Sequence, residues 1–301
     1  MTLPREGKGS VSEHGRGDDG SDLVYPVFSR RSGGLSIGVN LYPDRKTCNF
    51  VCPYCEVFPF SGSRRFETLT LKRELDRYFA ARADIRAARA EMDAETGAND
   101  RAWFPVRDIC VSGNGEPTLS PHFGEALAVC AEARRTWLGG PDGGTDLVLI
   151  TNSTGFSQPG ITALLARMVH DERLVIWAKL DGADPDWFAI MSGSQIDFAS
   201  TVASIESFAR REPIVIQTML CRVGDFEPNP RRMKRYADLL AGMLSRGAHI
   251  REVHLYTKAR PDPGDRCAPL GDARMLELAG VVSVGVGVPV RVFGESGEIP
   301  E

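Results

Sequence analysis

Short apolar runs alternate with longer amphipathic stretches along most of this chain. Residues 35–41, 107–112, 146–151, 174–180, 214–220 and 250–257 are rich in Val, Ile, Leu and aromatic side chains, without a strict polar alternation. Runs of that kind mark strands buried on both faces, as in a parallel sheet. Residues 70–93, 123–137, 161–169, 231–245 and 272–282 carry helical periodicity, and 184–210 does so with a break at 192–194. In the first of these, Leu71, Leu75, Tyr78, Ile85 and Met92 form one stripe, with Arg and Glu elsewhere. Residues 286–293 read as a last extended piece. Six alternations of strand and helix predict parallel strands wound by right-handed crossovers. Six units are too few for a closed eight-fold barrel. The expected fold is therefore α/β, an open partial (β/α)6 TIM-like barrel.

Period-2 alternation sorts the fourth strand into two faces. Leu174, Ile176, Ala178 and Leu180 share the face that must meet the helices. Val175, Trp177, Lys179 and Asp181 then face the barrel interior, with Lys179 and Asp181 at its C-terminal mouth. Asn152 ends the third strand, Gln217 lies in the fifth, and His254 and Tyr256 share a face of the sixth. Polar side chains at the C-terminal ends of parallel strands are where such sheets carry their chemistry. Lys179, Asp181 and Tyr256 are the catalytic candidates.

Residues 1–24 are rich in Gly, Ser and charge and poor in apolar side chains. Such a segment cannot offset its own ordering entropy, so a disordered tail is expected there, ahead of one core domain at 25–301 that ends in a short C-terminal extension. The 301 residues carry 36 Lys and Arg against 40 Asp and Glu, a formal net charge of −4. No global field draws such a chain to nucleic acid or to an anionic membrane. No apolar run approaches the roughly 20 residues that span a bilayer, and no signal-like core follows the N-terminal basic residues. A cytoplasmic protein with no membrane partner is expected. Two basic clusters, Arg64-Arg65 and residues 231–235, read as solvated surface. Trp103, Trp137 and Trp187 read as core or flank.

Seven cysteines is an odd number, and three fall within residues 48–55. Clustered thiols in a long chain without an export signal point to metal rather than to disulfides. Cys110, Cys130 and Cys221 sit in or beside apolar segments and are expected to be buried structural thiols. Cys48, Cys52 and Cys55 are spaced by four and three. Thiolates suit zinc or iron–sulfur clusters. A structural zinc site needs four ligands, and the closest His residues, His14 and His122, are remote in sequence. Three thiols on a cubane leave one iron open to a further ligand.

This loop, with Tyr54 just before its last cysteine and a strand just before its first, resembles the signature of the radical S-adenosylmethionine (SAM) superfamily. The resemblance implies a [4Fe–4S] cluster on Cys48, Cys52 and Cys55, whose open iron chelates SAM. It further implies reductive cleavage of SAM to a 5′-deoxyadenosyl radical that takes hydrogen from a substrate. The segment Ser112-Gly113-Asn114-Gly115-Glu116-Pro117-Thr118 closes the second strand. Alone it is also an ordinary strand-to-helix turn. Beside the cysteine loop it resembles the superfamily's Gly-Gly-Glu element, and Gly113, Asn114, Gly115 and Glu116 become candidates for the methionine end of SAM. By the same resemblance Tyr54, Asn152, Lys179 and Gln217 are cofactor-site candidates, Asn152 and Lys179 or Asp181 being those for the ribose and carboxylate.

Gly38-Val39-Asn40-Leu41, Gly115-Glu116-Pro117-Thr118, Thr151-Asn152 and Lys179-Leu180-Asp181 look like the iron–sulfur oxidoreductase group related to wyosine-base tRNA-modifying enzymes. Those enzymes build a second cluster on further upstream cysteines, and no cysteine precedes Cys48 here. The expected function is a single-cluster radical SAM enzyme acting on a small molecule or an RNA nucleotide. It would take its electron from a low-potential donor of flavodoxin or ferredoxin type. An activating enzyme that forms a glycyl radical on a partner protein is the alternative, as is a non-catalytic iron–sulfur or metal-binding protein.

Overall fold

The computed structural model describes residues 22–96 and 104–300, the side chains of 85–96 excepted. The chain enters through β1 (Val24–Ser29) and turns back as β2 (Gly34–Asn40). A long loop bearing the three clustered cysteines leads to α1 (Thr68–Thr96). There follow β3 (Val106–Ser112), α2 (Phe123–Leu138), β4 (Asp146–Thr151), α3 (Pro159–Glu172) and β5 (Val175–Lys179). Two helices, α4 (Pro185–Ser192) and α5 (Phe198–Ala209), precede β6 (Ile214–Met219) and the short β7 (Cys221–Val223). Then come α6 (Pro230–Ser245), β8 (Ile250–Tyr256), β9 (Cys267–Pro269), α7 (Asp272–Val286), β10 (Val290–Phe293) and β11 (Glu298–Ile299).

The main sheet has nine strands in the order β1-β2-β3-β4-β5-β6-β8-β10-β11. From β2 to β10 every neighbouring pair is parallel. β1 and β11 add antiparallel at the two edges. The expected partial barrel is present, with the last extended piece serving as a short seventh parallel strand. β7 and β9 form a separate antiparallel ribbon.

Element boundaries follow local chemistry. Asp184 and Asn229 cap α4 and α6, their side chains accepting from the amides of Trp187 and Arg232. Gly193, in the left-handed region, ends α4 and produces the break foreseen at 192–194. The last helix runs past 282, because its β-branched valines are tolerated until Gly287 stops it with φ of 75°. Residue 286 is therefore helical, not extended.

The two faces of the sheet divide as the alternation predicts. Ile109, Leu147, Ile176, Ala178, Ile216 and Val253 are buried in the main core, against helix residues such as Leu165, Ile205 and Leu240. Burying such aliphatic side chains stabilises by roughly 1.5–3 kcal/mol each. The opposite face carries a small separate cluster of Cys110, Val148, Trp177 and Val215, flanked by Ile150 and Val175. That second face is the inside of a curled sheet, for one cavity is lined both by Ser36 and Gly38 of β2 and by Tyr256 of β8.

Trp187 is fully buried, and Trp137 stacks on Phe79 at 6.5 Å. Trp103 and residues 1–21 lie outside the described residues. Cys110, Cys130 and Cys221 are buried as foreseen, and so is Cys267.

Candidate active site

The cysteine loop is pinned at several points over the C-terminal ends of the strands. At its start, the Thr47 amide donates to the Asn114 carbonyl (3.0 Å), and the Glu116 amide donates back to the Thr47 carbonyl (2.9 Å). Between those two bonds sits Gly115, where a Cβ would lie 1.8 Å from the Thr47 oxygen. Gly113, at φ of 110°, packs against the backbone of Asn40. The two glycines thus let the turn after β3 lie directly against the segment that delivers Cys48. Farther along, the Val51 amide donates to the Ser192 carbonyl (2.8 Å), and Phe50 meets Phe188 edge to face at 5.7 Å.

Glu116 is buried, and its carboxylate is occupied within the chain. Oε1 accepts from the amide and hydroxyl of Thr118 (3.1 and 2.7 Å) and from the Thr151 hydroxyl (2.7 Å). Oε2 accepts from the Asn152 amide (2.6 Å). Burial raises its pKa, against the lowering effect of the bonds from Asn152, Thr118 and Thr151. This side chain ties the turn to the end of β4. Asn152 in turn donates to Asn49 Oδ1 (2.6 Å) and lies 3.8 Å from Cys48 Sγ, while its Oδ1 accepts from Thr154.

On the other side of the mouth, Lys179 donates to the Tyr256 hydroxyl and lies 3.3 Å from Asp181. Asp181 accepts from the Tyr54 hydroxyl and, at 2.7 Å, from the Met219 amide. Burial lowers the Lys179 pKa, but Asp181 foremost, with Tyr256 and Cys52, raises it further, so the amine is held protonated. Burial and then Asp181 push the Tyr54 hydroxyl well above its ordinary value. Lys179, Asp181, Tyr54 and Tyr256 therefore form one hydrogen-bonded group, joining the cysteine loop to β5 and β8.

A cavity of about 230 Å³ opens beneath. Of the residues expected in the site, Tyr54, Cys55, Gly113, Lys179 and Tyr256 line it. Asn114, Gly115, Glu116 and Asn152 stand behind it as the support of the loop. Gln217 is fully buried lower in the barrel, where its Oε1 accepts from Arg31 (2.5 Å) and its amide meets His254 Nδ1 (3.1 Å). Sequence reasoning passed over Arg30, Arg31, Glu56 and Arg260, which also line the cavity. The one available signal was the Arg-Arg pair just before the first parallel strand. The basic clusters singled out instead are engaged elsewhere, Arg64 with Glu74, and Arg232 and Arg235 with Asp184.

Among the described residues, no three His, Cys, Asp or Glu side chains are gathered closely enough to hold a metal ion as the chain stands. The donor chemistry nevertheless fits a cluster. Cys48, Cys52 and Cys55 are partly accessible free thiols on one anchored loop. Burial raises the pKa of Cys48 and pushes Cys52 up to about 12, so these two thiols would stay protonated until a cationic metal centre displaced their protons.

No family model matches the chain. A radical SAM methyltransferase from Sphaerobacter thermophilus superposes with a TM-score of 0.53 at 13% identity, over 90% of this chain and 69% of that one. That neighbour shares the half-barrel fold of this chain. A UPF0026 protein of Synechocystis sp. is 26% identical over 296 residues, covering 89% of this chain and 95% of that protein. UPF0026 proteins from two strains of Helicobacter pylori are 31% and 30% identical over 102 residues. That stretch is 34% of this chain, and it spans only 28% of the length of each of the Helicobacter relatives. Among the described residues, no helix is long and apolar enough to cross a membrane.

Proposed function

We propose that this chain is a radical SAM enzyme whose Cys48, Cys52 and Cys55 hold a [4Fe–4S] cluster at the mouth of the half-barrel. The observation that carries the reading is the seating of the three-thiol loop. It is locked by the Gly113–Glu116 turn on one side and by the Tyr54–Asp181 bond on the other, directly over a polar cavity. The likeness of the fold to that of a radical SAM methyltransferase supports it. When bound, the cluster supplies an electron for cleavage of SAM to a 5′-deoxyadenosyl radical.

The chain's own residues then have distinct tasks. Gly113, which lines the cavity, presents its backbone where the methionine end of SAM would lie, and Asn114, Gly115 and Glu116 hold that turn against the cysteine loop. Lys179 keeps a fixed positive charge at the mouth, suited to the SAM carboxylate. Asn152 orders Asn49 beside Cys48. Asp181 and Tyr256 orient Lys179. The curled sheet partly encloses the space below, which would limit the access of water to a reactive intermediate. A one-electron donor of flavodoxin or ferredoxin type and a small-molecule substrate complete the proposal.

Anaerobic reconstitution followed by SAM and dithionite tests it. The chain should hold about four iron and four sulfide ions, show charge-transfer absorbance and release 5′-deoxyadenosine. Cys48→Ala, Cys52→Ala and Cys55→Ala should each abolish that product, while Cys130→Ala, in the main core, should leave it. Stable zinc with no charge-transfer band would overturn the reading.

A further inference from the structure

The cavity floor is built around Arg31. Its guanidinium lies 5.2 Å from the centre of the Trp177 ring and 4.7 Å from that of Tyr256. A chain of hydrogen bonds orients it. Glu252 accepts from His254 Nε2 (2.6 Å), His254 Nδ1 accepts from the Gln217 amide, and Gln217 Oε1 accepts from Arg31. Burial lowers the His254 pKa and favours the neutral ring, and its two partners set the tautomer. A neutral amide is thus the hydrogen-bonded partner of a half-buried cation. Asp108 takes its bonds from Ser36 and Ser32, with the Arg31 charge nearby.

Three more cations line the same cavity: Arg30, Lys179 and Arg260. Among the described residues, the one carboxylate lining it is Glu56, which is 2.7 Å from Arg260. Asp181 lies behind Lys179. Burial, then the nearby charges of Arg31 and Arg260, bring the Arg30 pKa down to about 10, a sign that positive charge is crowded there. Concentrating cations in a partly enclosed, aromatic-walled space is unfavourable unless an anion shares it.

We propose that the cavity floor is the seat of an anionic substrate group, a carboxylate or a phosphate, received by Arg31 with Arg30 and Arg260 beside it. Planar guanidinium on an aromatic wall suits a planar or trigonal oxyanion face, held by paired N–H donors. The inference rests on the reading of the mouth as the SAM site, since it makes the deeper part of the cavity the substrate's. The modest volume then points to a small acid or phosphate ester, whose apolar portion is held near the mouth.

Titration calorimetry of the full chain tests this, with inorganic phosphate, acetate and uncharged glycerol as probes. The reconstituted and the cluster-free protein are each titrated. Saturable binding of phosphate or acetate, but not glycerol, is expected. Arg31→Gln should weaken it by about tenfold or more, Arg31→Lys should lose less, and the surface control Lys234→Gln should leave it unchanged. The preferred probe tells carboxylate from phosphate. Absence of saturable binding by either anion, or equal binding by a folded Arg31→Gln, overturns the proposal. If anion binding persists while 5′-deoxyadenosine never forms, the SAM reading has failed and the anion site stands alone.

Discussion

Two buried carboxylates are held by hydrogen bonds from neighbouring side chains. Glu116 satisfies four donors from Thr118, Thr151 and Asn152. In Glu116→Gln a side-chain N–H must face at least one of those donors. An unmet buried donor costs about 1–3 kcal/mol, so the urea midpoint should fall accordingly. An unchanged midpoint would mean that the turn is held by its backbone bonds alone. Burial raises the pKa of both groups, that of Asp108 from 3.8 to about 6. At Asp108 the folded chain therefore keeps a proton that the unfolded chain has already released. Stability from this group is complete below pH 4 and declines as the pH rises through 6, by roughly 3 kcal/mol. Asp108→Asn retains the acceptor for Ser36 and should remove that decline. Unfolding free energies of the two proteins should diverge between pH 4 and 7 in favour of the variant, and a constant difference would exclude the mechanism.

At the scale of elements, the cysteine loop and the turn after β3 behave as one unit. Three thiols sit in a loop whose start is held by backbone pairing with residues 114–116. Gly115→Ala pushes a methyl group into the Thr47 carbonyl, and the two segments must separate. The expected result is a loss of about 1–3 kcal/mol in stability, as for an overpacked site, and a fall in iron retained after reconstitution. Retention of the full iron content would show that the loop finds its place independently of the turn. The elements themselves were mostly legible, since parallel strands with helix crossovers leave long, coherent patterns. The β1–β2 hairpin and the β7–β9 ribbon were not foreseen. Cys221–Val223 and Cys267–Pro269 are three residues each, too short to carry a period, and their pairing is decided by the ends of β6 and β8 that bring them together.

At the scale of the whole molecule, an open sheet must manage its two edges. Here Arg30, in the turn between β1 and β2, donates to the carbonyls of Thr257 and Gly294, which directly follow β8 and β10. One side chain thus ties the hairpin at one edge to strand ends at the other, across a separation of 227 and 264 residues. Arg30→Gln shortens the reach and frees both carbonyls. Hydrogen exchange should quicken at β1 and β10 together, with little change in β4 or β5 at the centre of the sheet. Uniform quickening, or none, would remove Arg30 from that role.

The sequence by itself determined the strand–helix alternation, the inward face of β5 and the three-thiol loop, because each is written in near-neighbour periodicity or spacing. It also brought Lys179, Asp181 and Tyr256 into one site, since register and direction follow once the strands are parallel. Only the tertiary structure decided that Glu116 and Asn152 brace the loop and that Gln217 holds an arginine. Only it decided that Arg30 and Arg31 line the cavity. Those roles depend on which groups meet across tens to hundreds of residues. A polar side chain shows its type in the sequence, but its partner is chosen by the closure of the sheet around it.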